Sequence, residues 1–364
     1  MLKILIAPTA FKGTLSPTKV AEAIEAGVNN SGIDCQIELA PVADGGDGTL
    51  ECLHFALGGK FEYVSCHGPT GILHTASWLQ LPECAVVELA TCCGLAQMAE
   101  LELQPLKAST QGLGEVIADC LDKYSGNIVV TLGGSASTDG GSGALKSLGA
   151  RFLNEDGEEI MLGGGALSSL ASIDLSSLKR NIQPLKIAVD VNNPLLGPNG
   201  AGSFAPQKGA GRHEVEILES GLQKFAHLME AKAKTRARDM PGTGAAGGTA
   251  FGLLLGLKAQ LVSGFYWLAE LLNLEEKIQW ADIVISAEGC LDEQSLQGKA
   301  TGELGRLCKR YGKNLIVIAA HVDPACRLKD AGVTQVSALA VDKNLVGSLD
   351  ISSAVSALVK NYKI

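Results

Sequence analysis

Leu2-Lys3-Ile4-Leu5-Ile6-Ala7-Pro8, followed after a short loop by Ser16-Pro17-Thr18-Lys19-Val20, decides the fold class. The first run is short, apolar and carries β-branched isoleucines, as a buried strand requires, and proline ends it. Ser16 then offers an N-cap and Pro17 a first-turn proline for a helix through about Val28. A second strand-loop-helix unit follows, with a strand at 35–39, a glycine-rich loop at 43–48 and a helix through about Leu57. At the far end, 281–286, 314–320 and 333–340 read as strands, with a helix between the first two and another closing the chain. Alternation of strand and helix at both ends predicts a parallel sheet covered on both faces.

The middle of the chain differs. The runs 75–81 and 85–89 lie too close together to hold a crossover helix, which predicts antiparallel or mixed pairing. Strands at 127–132 and 185–191 each lead into a glycine-rich or polar loop. The expected organisation is two α/β domains, one built from both termini (1–70 and 270–364) and a mixed one inserted at 71–269.

Composition agrees with such a chain and narrows its partners. At 364 residues it exceeds what one hydrophobic core usually organises. Hydrophobic residues make up 46% and aromatics only 4%, which suits an aliphatic interior and argues against an aromatic nucleic-acid platform. Thirty basic residues against 39 acidic give a net charge of -9, with no pull toward nucleic acid or anionic lipid, so local groups must hold an anionic substrate. The ten cysteines show no CxxC spacing and sit in apolar runs, reading as reduced thiols; Cys92-Cys93 reads as helix-start packing. None of the six histidines has zinc-ligand spacing. The N-terminus does not read as a signal peptide, and no apolar stretch reaches the roughly 18 residues of a membrane span, so a cytoplasmic protein is expected.

Several segments carry residues suited to chemistry. Pro41-Val42-Ala43-Asp44-Gly45-Gly46-Asp47-Gly48-Thr49 puts two carboxylates and three glycines on a strand-to-helix loop, fit either to hold a metal or orient hydroxyls, or to make a tight turn capped by an aspartate. Thr131-Leu132-Gly133-Gly134-Ser135-Ala136-Ser137-Thr138-Asp139-Gly140-Gly141-Ser142-Gly143 follows an apolar strand and leads into a helix from about Ala144. Amides, hydroxyls and a helix N-terminus there suit a phosphate cradle, although the GK[ST] ending of a P-loop is missing and a flexible linker fits the composition too. Asp190-Val191-Asn192-Asn193-Pro194 begins at a strand end, where Asp190 has the chemistry to accept a proton from a hydroxyl nucleophile; an Asx turn before Pro194 explains it equally.

Lys12, in Phe11-Lys12-Gly13-Thr14, and Lys208, in Pro206-Gln207-Lys208-Gly209-Ala210, are loop cations able to pair with phosphate or a carboxylate. Pro241-Gly242-Thr243-Gly244-Ala245-Ala246-Gly247-Gly248 allows close approach of a ligand or close packing alone. Glu288 and Asp292, after the Ile283-Val284-Ile285 strand, are candidates for Mg²⁺ or its water shell. No GxGxxG follows the first strand, which counts against a nicotinamide dehydrogenase.

In their order, FKGT, PVADGGDGT, LGGSASTDGGSG, DVNNPLLG, PQKGA, PGTGAAGG and the late EGxLDxQSxxGK resemble the type I glycerate kinases, over residues 3 to about 300. The resemblance implies transfer of the ATP γ-phosphoryl group to the 2-hydroxyl of D-glycerate with Mg²⁺, in glyoxylate, glucarate or galactarate breakdown. It implies two α/β domains, one flavodoxin-like and split by an insertion, with the site in the cleft between them, and a homo-oligomer is compatible with it. Carried onto this chain, Asp190 would orient or deprotonate the hydroxyl near Asp44, Asp47 and Lys12, and Ser135, Ser137, Gly134, Asn192 and Lys208 would hold phosphate or substrate. The family's late motif reads GEGRLD, whereas Ala287 and Cys290 stand at its first glycine and its arginine here, and Ala320-His321 stands where a glycine is expected. An arginine pairing with substrate would be worth about 1.5 to 3 kcal/mol. Two alternatives follow, a hydroxy-acid or nucleotide-binding protein without turnover and a kinase forming 3-phosphoglycerate.

Overall fold

A computed structural model describes residues 1–11, 13–43, 45–98, 103–179, 184–292, 295, 299–328, 330–339, 341 and 345–360. Its strands, in chain order, are β1 Leu2–Ile6, β2 Cys35–Leu39, β3 Lys60–His67, β4 Leu73–Gln80, β5 Cys84–Glu88, β6 Asn127–Thr131, β7 Arg151–Leu153, β8 Ser172–Asp174, β9 Lys186–Val189, β10 Gln260–Ser263, β11 Ile283–Leu291, β12 Asn314–Val322 and β13 Val333–Ala338. The chain divides into two compact units, Met1–Asp44 with Glu51–Gly58 and Phe265–Ile364, and Gly45–Leu50 with Gly59–Gly264.

The first unit is built on a five-stranded, wholly parallel sheet in the order β13-β12-β11-β1-β2. Ile4, Leu5 and Ile6 of β1 are fully buried, which is why an apolar run without polar alternation forms a strand here. The helix Pro17–Ser31 begins as its sequence dictates: the Ser16 hydroxyl accepts the Lys19 amide at 3.4 Å, and Gly32 ends it in the left-handed region at φ 75°. Val20, Ile24 and Val28 on that helix share a core with Ile351, Val355 and Val359 of the helix Ser348–Lys360.

The second unit carries a six-stranded mixed sheet in the order β10-β9-β6-β5-β4-β3, and a small antiparallel β7-β8 pair. β3-β4 and β4-β5 run antiparallel, while β5, β6, β9 and β10 are mutually parallel. The carboxyl ends of four neighbouring strands therefore open along one edge, where parallel sheets gather ligand groups. Beneath them lies a core containing Trp78, Phe152, Phe225 and Phe251, with ring centroids 6.0 Å apart for Phe152 and Phe225 and 5.9 Å for Phe225 and Phe251. Among the described residues, no helix is long and apolar enough to cross a membrane.

The organisation differs from the sequence reading in where the chain passes between units. β3 lies before residue 70, yet it pairs with β4 over its whole length and so belongs to the second unit. Gly45–Leu50 belongs there too, because long-range bonds pin it to β5 and to the loop after β6. β11 and β12 run on to Leu291 and Val322, so Glu288 and Cys290 stand on a strand rather than in the loop after it. Cys92 and Cys93 end the helix Leu89–Cys93 rather than start one; both are buried, and burial holds the Cys92 thiol well above its usual range.

Candidate active site

In the second unit, the glycine-rich loops read from the sequence meet backbone to backbone. The Gly133 amide donates to the Gly45 carbonyl at 3.0 Å, and a Cβ on Gly133 would stand 2.1 Å from the Gly46 Cα. No residue but glycine permits that approach. A Cβ on the neighbouring Gly134 would fall 2.1 Å from an oxygen of Asp47, so this exposed aspartate leans on the backbone at Gly134. The Ser135 and Ser137 hydroxyls lie 3.2 Å apart, both buried, and the Ser137 amide donates to the Ser135 hydroxyl at 3.2 Å.

Asp190 follows β9 immediately and is half-buried, and the Ser263 hydroxyl at the end of β10 donates to its Oδ1 at 3.1 Å. β9 and β10 are adjacent parallel strands, which brings the two groups together. Asn192, two residues on, is exposed. The segment 241–248 packs against this edge: the Gly244 amide donates to the Asn193 carbonyl at 2.9 Å, and the Gly140 amide donates to the Gly247 carbonyl at 3.0 Å. Ala246 takes a left-handed conformation at φ 53°, costly for a residue with a Cβ, and Gly247 and Gly248 continue it. Packing thus accounts for these small residues.

Two buried carboxylates organise the loops, and the sequence reading singled out neither. Glu88, at the end of β5 and 3% exposed, accepts the Gly48 amide at 3.0 Å and the Leu50 amide at 2.8 Å, tying the Asp47 loop to the sheet edge. Asp139, fully buried, accepts the Thr110 amide and hydroxyl at 2.9 and 2.8 Å, the Gly141 amide at 3.1 Å and the Gly143 amide at 3.2 Å. This alters the expected phosphate cradle. The helix after the loop is only Ser142–Ser147, and two amides at its start already bond Asp139, so the serine hydroxyls rather than the helix terminus remain the donors suited to an anion. Lys208 is likewise not a surface cation: it is 7% exposed, its ammonium donates to the Ser137 carbonyl, and burial lowers its pKa to about 8.

The Glu88 anchor has a measurable consequence. Glu88→Ala strands two amides, at Gly48 and Leu50, and is expected to cost about 3 kcal/mol. Urea unfolding, read as a lowered midpoint at constant slope, checks this.

In the first unit, Glu288 and Asp292 are joined by one serine. The buried Ser295 hydroxyl lies 2.9 Å from Glu288 Oε1 and 3.1 Å from Asp292 Oδ1, and the Ser295 amide donates to Asp292 Oδ1 at 2.8 Å. Two carboxylates converging on one point form an all-oxygen donor set, which fits Mg²⁺ completing its shell with water or phosphate. Cys290 and His321 pair in register across β11 and β12. Lys12 and Asp44 lie outside the described residues.

Comparison with known proteins follows the same lines. The sequence model of the glycerate kinase family matches residues 4–353. Glycerate 2-kinase of Escherichia coli K12 is 38% identical over 326 residues, 88% of this chain and 86% of its own length. Glycerate kinase of Bacillus subtilis 168 is 39% identical over 327 residues, 88% of this chain and 85% of its own. A crystal structure from Salmonella typhimurium LT2, provisionally named glycerate kinase 2, superposes with a TM-score of 0.83 at 35% identity, covering 99% of this chain and 96% of that one.

Proposed function

Because the chain belongs to the glycerate kinase family of enzymes, we propose that it transfers the γ-phosphoryl group of ATP to the 2-hydroxyl of D-glycerate, yielding 2-phosphoglycerate. The reading places this activity in the cytoplasm, in glyoxylate, glucarate or galactarate breakdown. The observation that carries it is Asp190, held by Ser263 at the carboxyl edge of four parallel strands that also presents the Ser135-Ser137 hydroxyl pair.

Phosphoryl transfer asks a protein to position groups and neutralise charge more than to form bonds. In this reading Asp190 accepts the proton of the attacking 2-hydroxyl. Its carboxylate is oriented by the Ser263 hydroxyl on Oδ1. Ser135 and Ser137 hydroxyls donate to phosphate or substrate oxygens, with the backbone at Gly134 and the side chains of Asn192 and Asp47 beside them. Lys12 supplies cationic charge and Asp44 acts with Asp47. Glu288 and Asp292 would hold Mg²⁺, which supplies neutralisation of the charge developing on the transferred phosphoryl oxygens.

Coupled ADP release, with D-glycerate, L-glycerate, tartronate or no acceptor, with and without Mg²⁺, tests the reading. Mg²⁺-dependent release with D-glycerate, far above the rate without acceptor, is the expected result. Thermal stabilisation by nucleotide and glycerate with no ADP formed would overturn it in favour of a binding protein without turnover.

A further inference from the structure

The geometry points to Asp139 and Lys208 as positioning residues: a buried carboxylate and a buried ammonium that each fix the Ser135–Asp139 loop from behind, through separate hydrogen bonds, and contact neither substrate nor nucleotide. This rests on the phosphotransfer reading of that loop. Asp139 gathers the loop's far end through the Gly141 and Gly143 amides and ties it to the residues preceding the helix Gln111–Lys123 through the Thr110 amide and hydroxyl, with the Ser109 hydroxyl at 3.5 Å. Lys208, from the turn Pro206–Lys208, reaches the same loop at the Ser137 carbonyl. Asp139 is the charged group that acts on its ammonium. Between these anchors stands the Ser135-Ser137 hydroxyl pair, and a Cβ on Gly247 would meet the Ser137 carbonyl at 2.2 Å, so the backbone there has no room to relax. An ammonium and a carboxylate this deeply buried are costly unless surrounding groups satisfy them, here the Ser137 carbonyl for Lys208 and the Thr110, Gly141 and Gly143 amides for Asp139, so the loop holds one shape while both charges persist.

The pair gives activity and stability opposite responses to pH. Burial lowers the Lys208 pKa from 10.5 to about 8, with Asp139 partly offsetting the shift. Between those values the unfolded chain binds more protons than the folded one, so this group's contribution to stability rises with pH. A loop that needs the cation loses its shape over the same range. Turnover is therefore expected to fall as pH rises through about 8 while the protein does not become less stable through Lys208. A buried lysine with no bearing on the loop's working shape would raise stability over this range and leave turnover unmoved.

The test measures kcat and KM for ATP and D-glycerate from pH 6.5 to 10 in the wild type, Lys208→Arg and Asp139→Asn, alongside thermal melts at each pH. Arginine keeps its charge throughout this range, so the alkaline fall in kcat should move up by at least a unit in Lys208→Arg. Removing the Asp139 charge should move it down. Lys208→Met, as a neutral control, should lose at least tenfold in kcat at pH 7 and show no fall near pH 8. An alkaline limb unmoved in both Lys208→Arg and Asp139→Asn, or wild-type turnover in Lys208→Met, overturns the inference while leaving the kinase reading intact. Absence of wild-type turnover at pH 7 defeats that reading first, and the inference with it.

Discussion

Asp190→Asn is expected to lower kcat by about 10²- to 10⁴-fold, the range for loss of a general base, while leaving the KM for glycerate within about threefold. Asparagine keeps the shape of aspartate, and its carbonyl can still accept the Ser263 hydroxyl, now 3.1 Å from Oδ1. The scaffold at the ends of β9 and β10 is thus preserved. What disappears is the capacity to take a proton from the attacking hydroxyl, an interaction that strengthens only as the oxygen begins to bond phosphorus. Steady-state kinetics separates the two parameters. A kcat equal to wild type would remove Asp190 from the mechanism, and a KM raised with kcat intact would make it a binding group.

Gly133→Ala is expected to damage both stability and activity, because its clash falls between the two candidate site loops. Its Cβ would meet the Gly46 Cα at 2.1 Å and the Gly46 amide nitrogen at 2.8 Å, and backbone cannot step aside as a flexible side chain does. The loop of Asp47 and the loop of Ser135 must separate, which costs roughly 1 to 3 kcal/mol as overpacking. Displacement of about 1 Å at a reacting group is worth about 10²-fold in rate, so kcat/KM should fall by more than the loss of folded protein explains. Thermal melting and kinetics on the same preparation distinguish this from simple unfolding. A variant with full activity would mean that the contact between the two loops does not position the chemistry.

Much of this arrangement was legible in the residues, for identifiable reasons. The Leu2–Ile6 run, the Ser16-Pro17 start and the closing strands are local signals, and the structure forms each of them. The glycines of 45–48 and 133–134 announced close approach, although what they approach is each other. Glu88 leaves no local pattern because both its partners lie 38 and 40 positions away, and Asp139 hides its tie to Thr110, 29 positions back, behind an ordinary local turn with the Gly141 and Gly143 amides. A usable signal existed for Glu88, since a charge inside Ala85-Val86-Val87-Glu88-Leu89-Ala90 must find donors if the run is buried. The place of β3 was hidden for another reason: it is an edge strand, with Tyr63 exposed, so its membership is decided by eight residues of pairing with β4 rather than by burial.

Lys208 is the sharpest case of a residue whose environment the sequence hides. A glycine-flanked lysine looks like a solvated phosphate ligand, yet folding encloses it and turns its ammonium to the Ser137 carbonyl. Nothing in Pro206-Gln207-Lys208-Gly209-Ala210 records the depth at which that turn sits.

The most direct test of phosphorylation at the 2-hydroxyl is ³¹P NMR of the product from D-glycerate, ATP and Mg²⁺. Phosphate on the secondary carbon couples to one proton and gives a doublet, the expected result. A triplet, from phosphate on the primary carbon with its two protons, would contradict it and make the 3-hydroxyl the acceptor.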